Sequence, residues 1–343
     1  MVTHEAILDA PKPRQRCPSS KLNVDFDLSR CFSYASAGRI KNLVVQRLVT
    51  VPQVSSMICH RDVELGLKCL GSLIRFCREP IEIVLHDDGS VTREDSERLL
   101  AGIEGVRLIS RAESDDVVEH QLKNHPRCAA FRKRSPMGMK LVDAGLMLRG
   151  DIVLCDTDIL FVRPFCGAFE FPSNDIGALH LLDYADSFCW RPWEKNGIQL
   201  CHRFNAGFMM MRRQHFDLDL MEFLVETIET SNGYRNNQAY QWFLEQTCWS
   251  IVAGKLKTMR WDPVQLRVIG PVDKFNCDFV GGHFVGSVRH MLEPYRLHAL
   301  DVGLDHLSEP VTIKFKKSEK YSLKTYGKNR LMNRFRATVG AIR

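Results

Sequence analysis

Asp156 and Asp158 stand one residue apart in an otherwise apolar stretch that runs from Asp151 to Val162. Ionised carboxylates are costly to bury unless they are paired or coordinated. On an extended chain, residues i and i+2 face the same side, so both acids can address one hard cation. The run Ile152, Val153, Leu154, Cys155 before them has the continuous apolar pattern of a parallel strand covered on both faces. An open α/β sheet places its ligands at the carboxyl ends of its strands, which is where this pair falls. A strand-end turn with two solvated aspartates is the plainer alternative.

The elements that must position the pair are legible from residue 51 onward. Val54 to Cys59 reads as a first strand and Val63 to Cys77 as a helix, with Leu67, Leu70, Ile74 and Cys77 at helical spacing. Ile81 to Leu85 is a second strand, ending in His86-Asp87-Asp88-Gly89-Ser90. Thr92 is placed as the N-cap of a helix reaching Ile103, with Glu94 and Asp95 in its first turn. Val106 to Ile109 is a third strand. A helix from Met137 to Leu148 leads into the central strand, with Gly145 weakening its interior. This alternation predicts a mostly parallel, Rossmann-like central sheet flanked by helices. Further on, Ile176 to Leu182 reads as a strand. Phe204 to Met211 reads as a small-residue turn entering a buried strand, and Leu218 to Thr230 as a helix. Asn236 to Thr247 is a helix or turn, Val264 to Ile269 a strand, and residues 281–286 a glycine-lined loop that holds His283.

Composition narrows the class. The chain has 343 residues, 45% hydrophobic and 26% charged, which is globular composition with room for one large α/β domain. No apolar run approaches the ~18 residues of a spanning helix, and Met1 to Cys17 lacks the apolar core of a secretory signal. Twelve cysteines without C-x-x-C pairing suggest reduced thiols, several of them buried (Cys59, Cys69, Cys77, Cys155), and a cytoplasmic setting. The net charge of +6 conceals a basic tail. Lys314 to Arg343 holds ten Lys/Arg against Glu319, a local +9 that leaves −3 for the remainder.

Taken together, residues 50 to 295 resemble nucleotide-sugar glycosyltransferases of the GT-A fold, and in their second half family 8, the glycogenin and lipopolysaccharide galactosyltransferase group. Several motifs in the right order carry the resemblance, where one D-x-D alone would be weak. Asp156-Thr157-Asp158 is similar to the family's D-x-D, which holds Mn²⁺ or Mg²⁺ against the donor diphosphate. His283-Phe-Val-Gly286-Ser-Val-Arg289 is similar to its H-x-x-G-x-x-K element. The resemblance makes His283 the third metal ligand, Gly286 a point of close backbone approach to phosphate, and Arg289 the holder of the leaving diphosphate. An imidazole beside two carboxylates suits Mn²⁺ better than Mg²⁺. Asn205-Ala206-Gly207 resembles a motif where the Asn meets sugar hydroxyls and the small residues leave room for the sugar. Asn237-Gln238 stands where the family commonly has Asp-Gln beside the anomeric carbon. An amide at Asn237 cannot act as a carboxylate nucleophile, so either no glycosyl-enzyme forms there or the motif is misaligned. Asp87-Asp88-Gly-Ser resembles a segment in which one Asp contacts the base. Lys140 stands where an Arg often touches the donor, and Arg132 and Arg134 are further phosphate-contact candidates.

The implied reaction moves a sugar from a nucleoside-diphosphate sugar, UDP-sugar first, to a hydroxyl of a saccharide or lipid-linked saccharide acceptor, in polysaccharide or glycolipid assembly. The His283 element and Asn-Ala-Gly resemble retaining enzymes, whereas Asp-Asp-Gly-Ser is equally typical of inverting ones, whose base would be Asp183, Asp186 or Glu245. The balance favours retention. Trp190, Trp193 and Trp242 are candidates to stack on sugars or to pack in the core.

The expected organisation is an N-terminal extension over 1–50, the glycosyltransferase domain over 51–300, and a basic tail over 301–343. Leu331, Phe335, Val339 and Ile342 share one face of a helix beside Arg330, Arg334 and Arg343. That pattern suits the anionic inner face of a membrane. Nucleic acid is disfavoured, because the basic excess is confined to the tail.

Three other classes fit the residues less well. A sugar nucleotidyltransferase would carry a glycine-rich loop where this chain has Cys59-His60-Arg61-Asp62. A haloacid-dehalogenase-type phosphatase would place its aspartates near the N-terminus, with Thr or Val where Leu160 stands. A non-catalytic nucleotide-sugar binder or scaffold would not need Asp156, Asp158 and His283 intact.

Overall fold

A computed structural model describes residues 51–194, 197–236 and 241–341, with side chains to residue 332. The expected N-terminal extension lies outside the described residues. The strands are β1 (Gln53–Ile58), β2 (Glu82–Asp87), β3 (Arg107–Ile109), β4 (Ile152–Cys155), β5 (Ile159–Phe161), β6 (Phe165–Cys166), β7 (Ala178–Leu182), β8 (Phe204–Met211), β9 (Thr258–Trp261), β10 (Leu266–Val268), β11 (Gly281–His283), β12 (Val311–Thr312) and β13 (Phe315–Lys317). The helices are α1 (Val63–Phe76), α2 (Arg93–Gly102), α3 (Arg111–Gln121), α4 (Pro126–Arg134), α5 (Pro136–Met147), α6 (Leu218–Thr230), α7 (Asn232–Asn236), α8 (Leu244–Gly254), α9 (Leu292–Asp301) and α10 (Leu323–Ala341).

The fold is mixed α/β. Eight strands form one sheet in the order β13-β9-β7-β8-β4-β1-β2-β3. β3, β2, β1 and β4 run parallel, each crossover carrying helices, as the alternation of patterns predicted. β8 is antiparallel to both β4 and β7. Apolar residues on the two faces of this sheet feed two separate cores, one around Leu154, Met209 and Trp249 and the other around Val153, Phe208 and Trp261. α1 buries Val63, Leu70, Leu73 and Phe76 at helical spacing. α2 starts at Thr92 in a capping box: Thr92 Oγ1 accepts the Asp95 N–H, and the Asp95 carboxylate accepts the Thr92 N–H. Thr92→Ala is expected to cost about 1 kcal/mol, read as a lower urea midpoint at unchanged slope.

Three sequence readings are corrected. First, Asp156-Thr157-Asp158 is a tight turn and not an extended segment. The chain leaves the large sheet after Cys155 and enters a second sheet, β10-β11-β5, at Ile159. The carboxylates converge because the chain bends, with the Ile159 N–H reaching back to the Asp156 carbonyl at 3.3 Å. Second, residues 281–283 are a strand and not a loop. They pair antiparallel with β5, setting His283 opposite Ile159. A Cβ on Gly281 would stand 2.9 Å from the Leu160 carbonyl oxygen, so its glycine serves close packing and not a turn. Third, Phe204 to Met211 is strand throughout and wholly buried. In the segment expected as a tail, β12 pairs with β6 and β13 with β9 before the terminal helix begins.

Candidate active site

At the carboxyl edge of the large sheet lies a cleft of about 530 Å³. The strand order arranges its lining. Asp88 follows β2, Asp62 follows β1, Asp156 and Asp158 follow β4, Asn205 and Gly207 lie on β8, and Asp183 follows β7. Lys140 of α5 and Glu245 and Gln246 of α8 form one wall, and His283, Gly286 and Arg289 another.

At its centre, ligand atoms of Asp156, Asp158 and His283 all lie within 4.8 Å of one another. His283 Nε2 is 2.9 Å from Asp158 Oδ1 and 3.7 Å from Asp156 Oδ2. Two carboxylates and one imidazole nitrogen form a donor set that fits Mn²⁺. Arg289 donates from Nε and Nη2 to Asp158 Oδ2, at 3.1 and 3.0 Å, and from Nη1 to Asp62 Oδ1 at 3.3 Å. Burial raises the Asp158 carboxyl, but His283 and Arg289 prevail and hold it below its ordinary value. Burial likewise lowers His283, and the Asp158 and Asp156 charges outweigh it, so its pKa is raised.

Lys140 is not a solvated helix lysine. It is buried, with Nζ 2.7 Å from Asp156 Oδ1 and 3.9 Å from Glu245 Oε1. Glu245 is buried too, and its Oε1 has no hydrogen-bond partner among the described residues. Burial pushes its carboxyl up to about 7, against the pull of Lys140. Folding therefore favours the protonated form. The contribution is complete below the ordinary value of 4.5 and is lost as pH rises through about 7. Glu245→Gln is expected to flatten that part of the pH dependence of unfolding free energy, measured by urea denaturation across the window.

The Asn205 side chain is committed within the protein. Its Oδ1 accepts from His283 Nδ1 at 2.9 Å and from the Gly207 N–H at 2.9 Å, while Nδ2 donates to Asp183 Oδ2 at 3.1 Å. The space kept by Gly207 holds the imidazole of His283, since a Cβ there would lie 2.2 Å from His283 Cε1. The Ala206 N–H donates to Gln246 Oε1 at 3.1 Å, which ties β8 to α8. Gly286 opens a 3-10 turn and faces open space where its Cβ would stand.

Of the two acids at the end of β2, Asp87 accepts the Gly89 and Val91 N–H groups and Asp88 the Ser90 N–H and hydroxyl; of the pair, Asp88 lines the cleft. Asn237 and Gln238 lie outside the described residues. Arg132 is buried in ion pairs with Asp143 and Asp115, and Arg134 pairs with Glu229; neither lines the cleft. Asp186 accepts from the Arg203 N–H and from Asn329 on α10, also away from the cleft. Trp190 is core, Trp193 is exposed against Tyr326, and Trp242 is 64% exposed at the cleft.

Sequence reasoning missed Asp62, Tyr184, Ser187 and Gln246. Only Gln246 had a local signal: with Glu245 it repeats the acid–amide pattern sought at Asn237-Gln238.

No protein-family model matches the chain, and no curated protein sequence matches it. Among solved structures, mouse xyloside xylosyltransferase 1 in its apo form is similar at a TM-score of 0.45 and 11% identity, over 70% of this chain and 99% of that one. The apo bifunctional glycosyltransferase WbbM gives 0.45 and 12%, over 76% of this chain but 52% of its own, about half its length. The galactosyltransferase LgtC, in complex with donor and acceptor sugar analogues, gives 0.41 and 12%, over 73% and 95%. At such scores these likenesses support no residue role in this chain.

Proposed function

We propose that the chain is a metal-dependent glycosyltransferase of GT-A type that moves a sugar from a nucleoside-diphosphate sugar to an acceptor hydroxyl. The observation that carries this reading is the convergence of Asp156, Asp158 and His283, with Arg289 against them, in a cleft at the carboxyl ends of the parallel strands of a mixed sheet. Asp156, Asp158 and His283 would hold Mn²⁺, or Mg²⁺ less readily. The ion, when bound, supplies neutralising charge for the departing diphosphate. Arg289 presents a fork suited to two phosphate oxygens, and Lys140 balances the acidic cluster from beneath. Asp88, beyond β1 on the same edge, is the cleft residue for the nucleoside. Gln246 and Glu245 line the cleft and join Asn237-Gln238 as candidates to stand beside the transferred sugar.

Retention is favoured over inversion. An inverting reaction needs a carboxylate able to take the acceptor proton. Both oxygens of Asp183 already accept, from Asn205 and from the Ala185 N–H, and Asp186 does not line the cleft; Glu245, with its carboxyl raised to about 7, is the base that an inverting reaction would use. Calorimetric titration with UDP, GDP and ADP, each with and without Mn²⁺, tests the reading. UDP is expected to bind, and only with the ion. Metal-independent binding, or none by any diphosphate, would count against it.

A lipid-linked acceptor fits the terminal helix. No helix among the described residues is long and apolar enough to cross a membrane. On α10, Leu323 and Leu331 are exposed beside Lys324, Lys328 and Arg330. Such a surface suits contact with anionic lipid at the cytoplasmic face. The side chains of Phe335 and Val339, and Ile342 itself, lie outside the described residues. Co-sedimentation with phosphatidylserine vesicles but not with phosphatidylcholine vesicles is the expected result.

A further inference from the structure

The amide of Asn205 solves a chemical ambiguity at His283. A neutral imidazole carries its proton on one nitrogen, and only the other has a lone pair for a metal. Asn205 Oδ1 faces His283 Nδ1 at 2.9 Å and the Gly207 N–H at 2.9 Å, while Asn205 Nδ2 faces Asp183 Oδ2 at 3.1 Å. The amide orientation is over-determined. A backbone N–H can only donate, so the atom beside Gly207 is the oxygen. A carboxylate can only accept, so the atom beside Asp183 is the nitrogen. Asp183 is fixed in turn, its Oδ1 accepting the Ala185 N–H at 3.1 Å. All three side chains are buried.

We infer that Asp183 and Asn205 form a relay that holds the proton of His283 on Nδ1 and directs its Nε2 lone pair at the cation site. They are positioning residues, and this assignment rests on reading Asp156, Asp158 and His283 as a metal site. It departs from the expectation that Asn205 serves the sugar. Partners behind a metal-binding histidine fix its tautomer and orientation, and losing one typically weakens metal affinity about 10–100-fold.

Isosteric substitutions test the relay without changing its volume. Asn205→Asp sets two carboxylates against each other. Asp183→Asn sets two amide groups donor to donor once its oxygen serves Ala185. The double exchange, Asp183→Asn with Asn205→Asp, restores every bond: Asn at 183 accepts from Ala185 and donates to Asp at 205, which accepts from Gly207 and His283. Mn²⁺ affinity is read from the spin-resonance signal of the free ion, with no substrate and no turnover. Thermal unfolding checks that each variant is folded.

Each single substitution is expected to weaken Mn²⁺ binding about 10–100-fold, and the double exchange to return it near the unsubstituted value. Singles that bind like the parent, or a double variant no tighter than the weaker single, would overturn the relay. Should a single variant fail to fold, the double exchange decides alone: binding near the parent supports the relay, and weak binding overturns it. If the unsubstituted protein takes up no Mn²⁺, the metal reading itself fails and the relay with it.

Discussion

Asp158→Asn is expected to abolish Mn²⁺-dependent binding of a nucleoside diphosphate and to slow sugar transfer by about a thousandfold or more, equivalent to about 4 kcal/mol of transition-state stabilisation. The substitution keeps shape and removes charge. Asp158 is buried, and its two oxygens face different partners, His283 Nε2 on one side and the Arg289 fork on the other. An amide there withdraws one anionic oxygen from the cation site and turns an NH₂ group either toward His283 Nε2, where it occupies the lone pair a metal would use, or toward Arg289, which can only repel it. Arg289 also loses its closest partner and keeps Asp62. Asp186→Asn is the control. It too removes a carboxylate held by protein partners, here Asn329, the Arg203 N–H and His202, but one that does not line the cleft. Unchanged Mn²⁺ affinity in that variant, with loss in Asp158→Asn, would locate the effect at the site. Equal losses in both would assign it to general destabilisation.

Gly207→Ala should produce the second largest effect. The added methyl would stand 2.2 Å from His283 Cε1, 2.3 Å from Nδ1 and 2.8 Å from Asn205 Oδ1. None of these atoms is the free end of a flexible chain. The ring is hemmed by Asn205 behind and Asp158 in front, and β8 is bonded to β4 and β7 on both sides. Overpacking of this kind costs about 1–3 kcal/mol. The relief available is rotation of the imidazole away from the two carboxylates, so Mn²⁺ affinity should fall by about 100-fold, as when a ligand loses its orienting partner. Thermal unfolding and Mn²⁺ titration separate the two consequences. A destabilised variant with parental affinity would mean that His283 is not a ligand.

The central strand and its two acids were legible because the signal is local: charge inside an apolar run has few explanations. The reason for their convergence was not. It depends on β5 leaving one sheet for another, a pairing with residues more than a hundred positions away. His283 was reached through the resemblance of its glycine-flanked element, yet those glycines suggested a loop where the packing of β11 on β5 required them. The motif of Asn205 and Gly207 points to the sugar, and nothing in the sequence places the two residues against His283, where the fold sets them. Lys140 and Glu245 show the same limit. A lysine on a helix is ordinarily solvated, and only the stacking of α5 against α8 below the cluster buries both. Arg132 and Arg134 show the opposite limit: a basic cluster in sequence invites a phosphate role, whereas the fold pairs them with Asp115, Asp143 and Glu229.

Anomalous diffraction from crystals grown with Mn²⁺ and a nucleoside diphosphate tests the metal site directly. One strong peak is expected at the cleft, bonded to carboxylate oxygens of Asp156 and Asp158 and to His283 Nε2, with the diphosphate on its open side and Arg289 turned toward the phosphates. A nucleotide bound in the cleft without a metal peak, or a peak that leaves His283 uncoordinated, would contradict it.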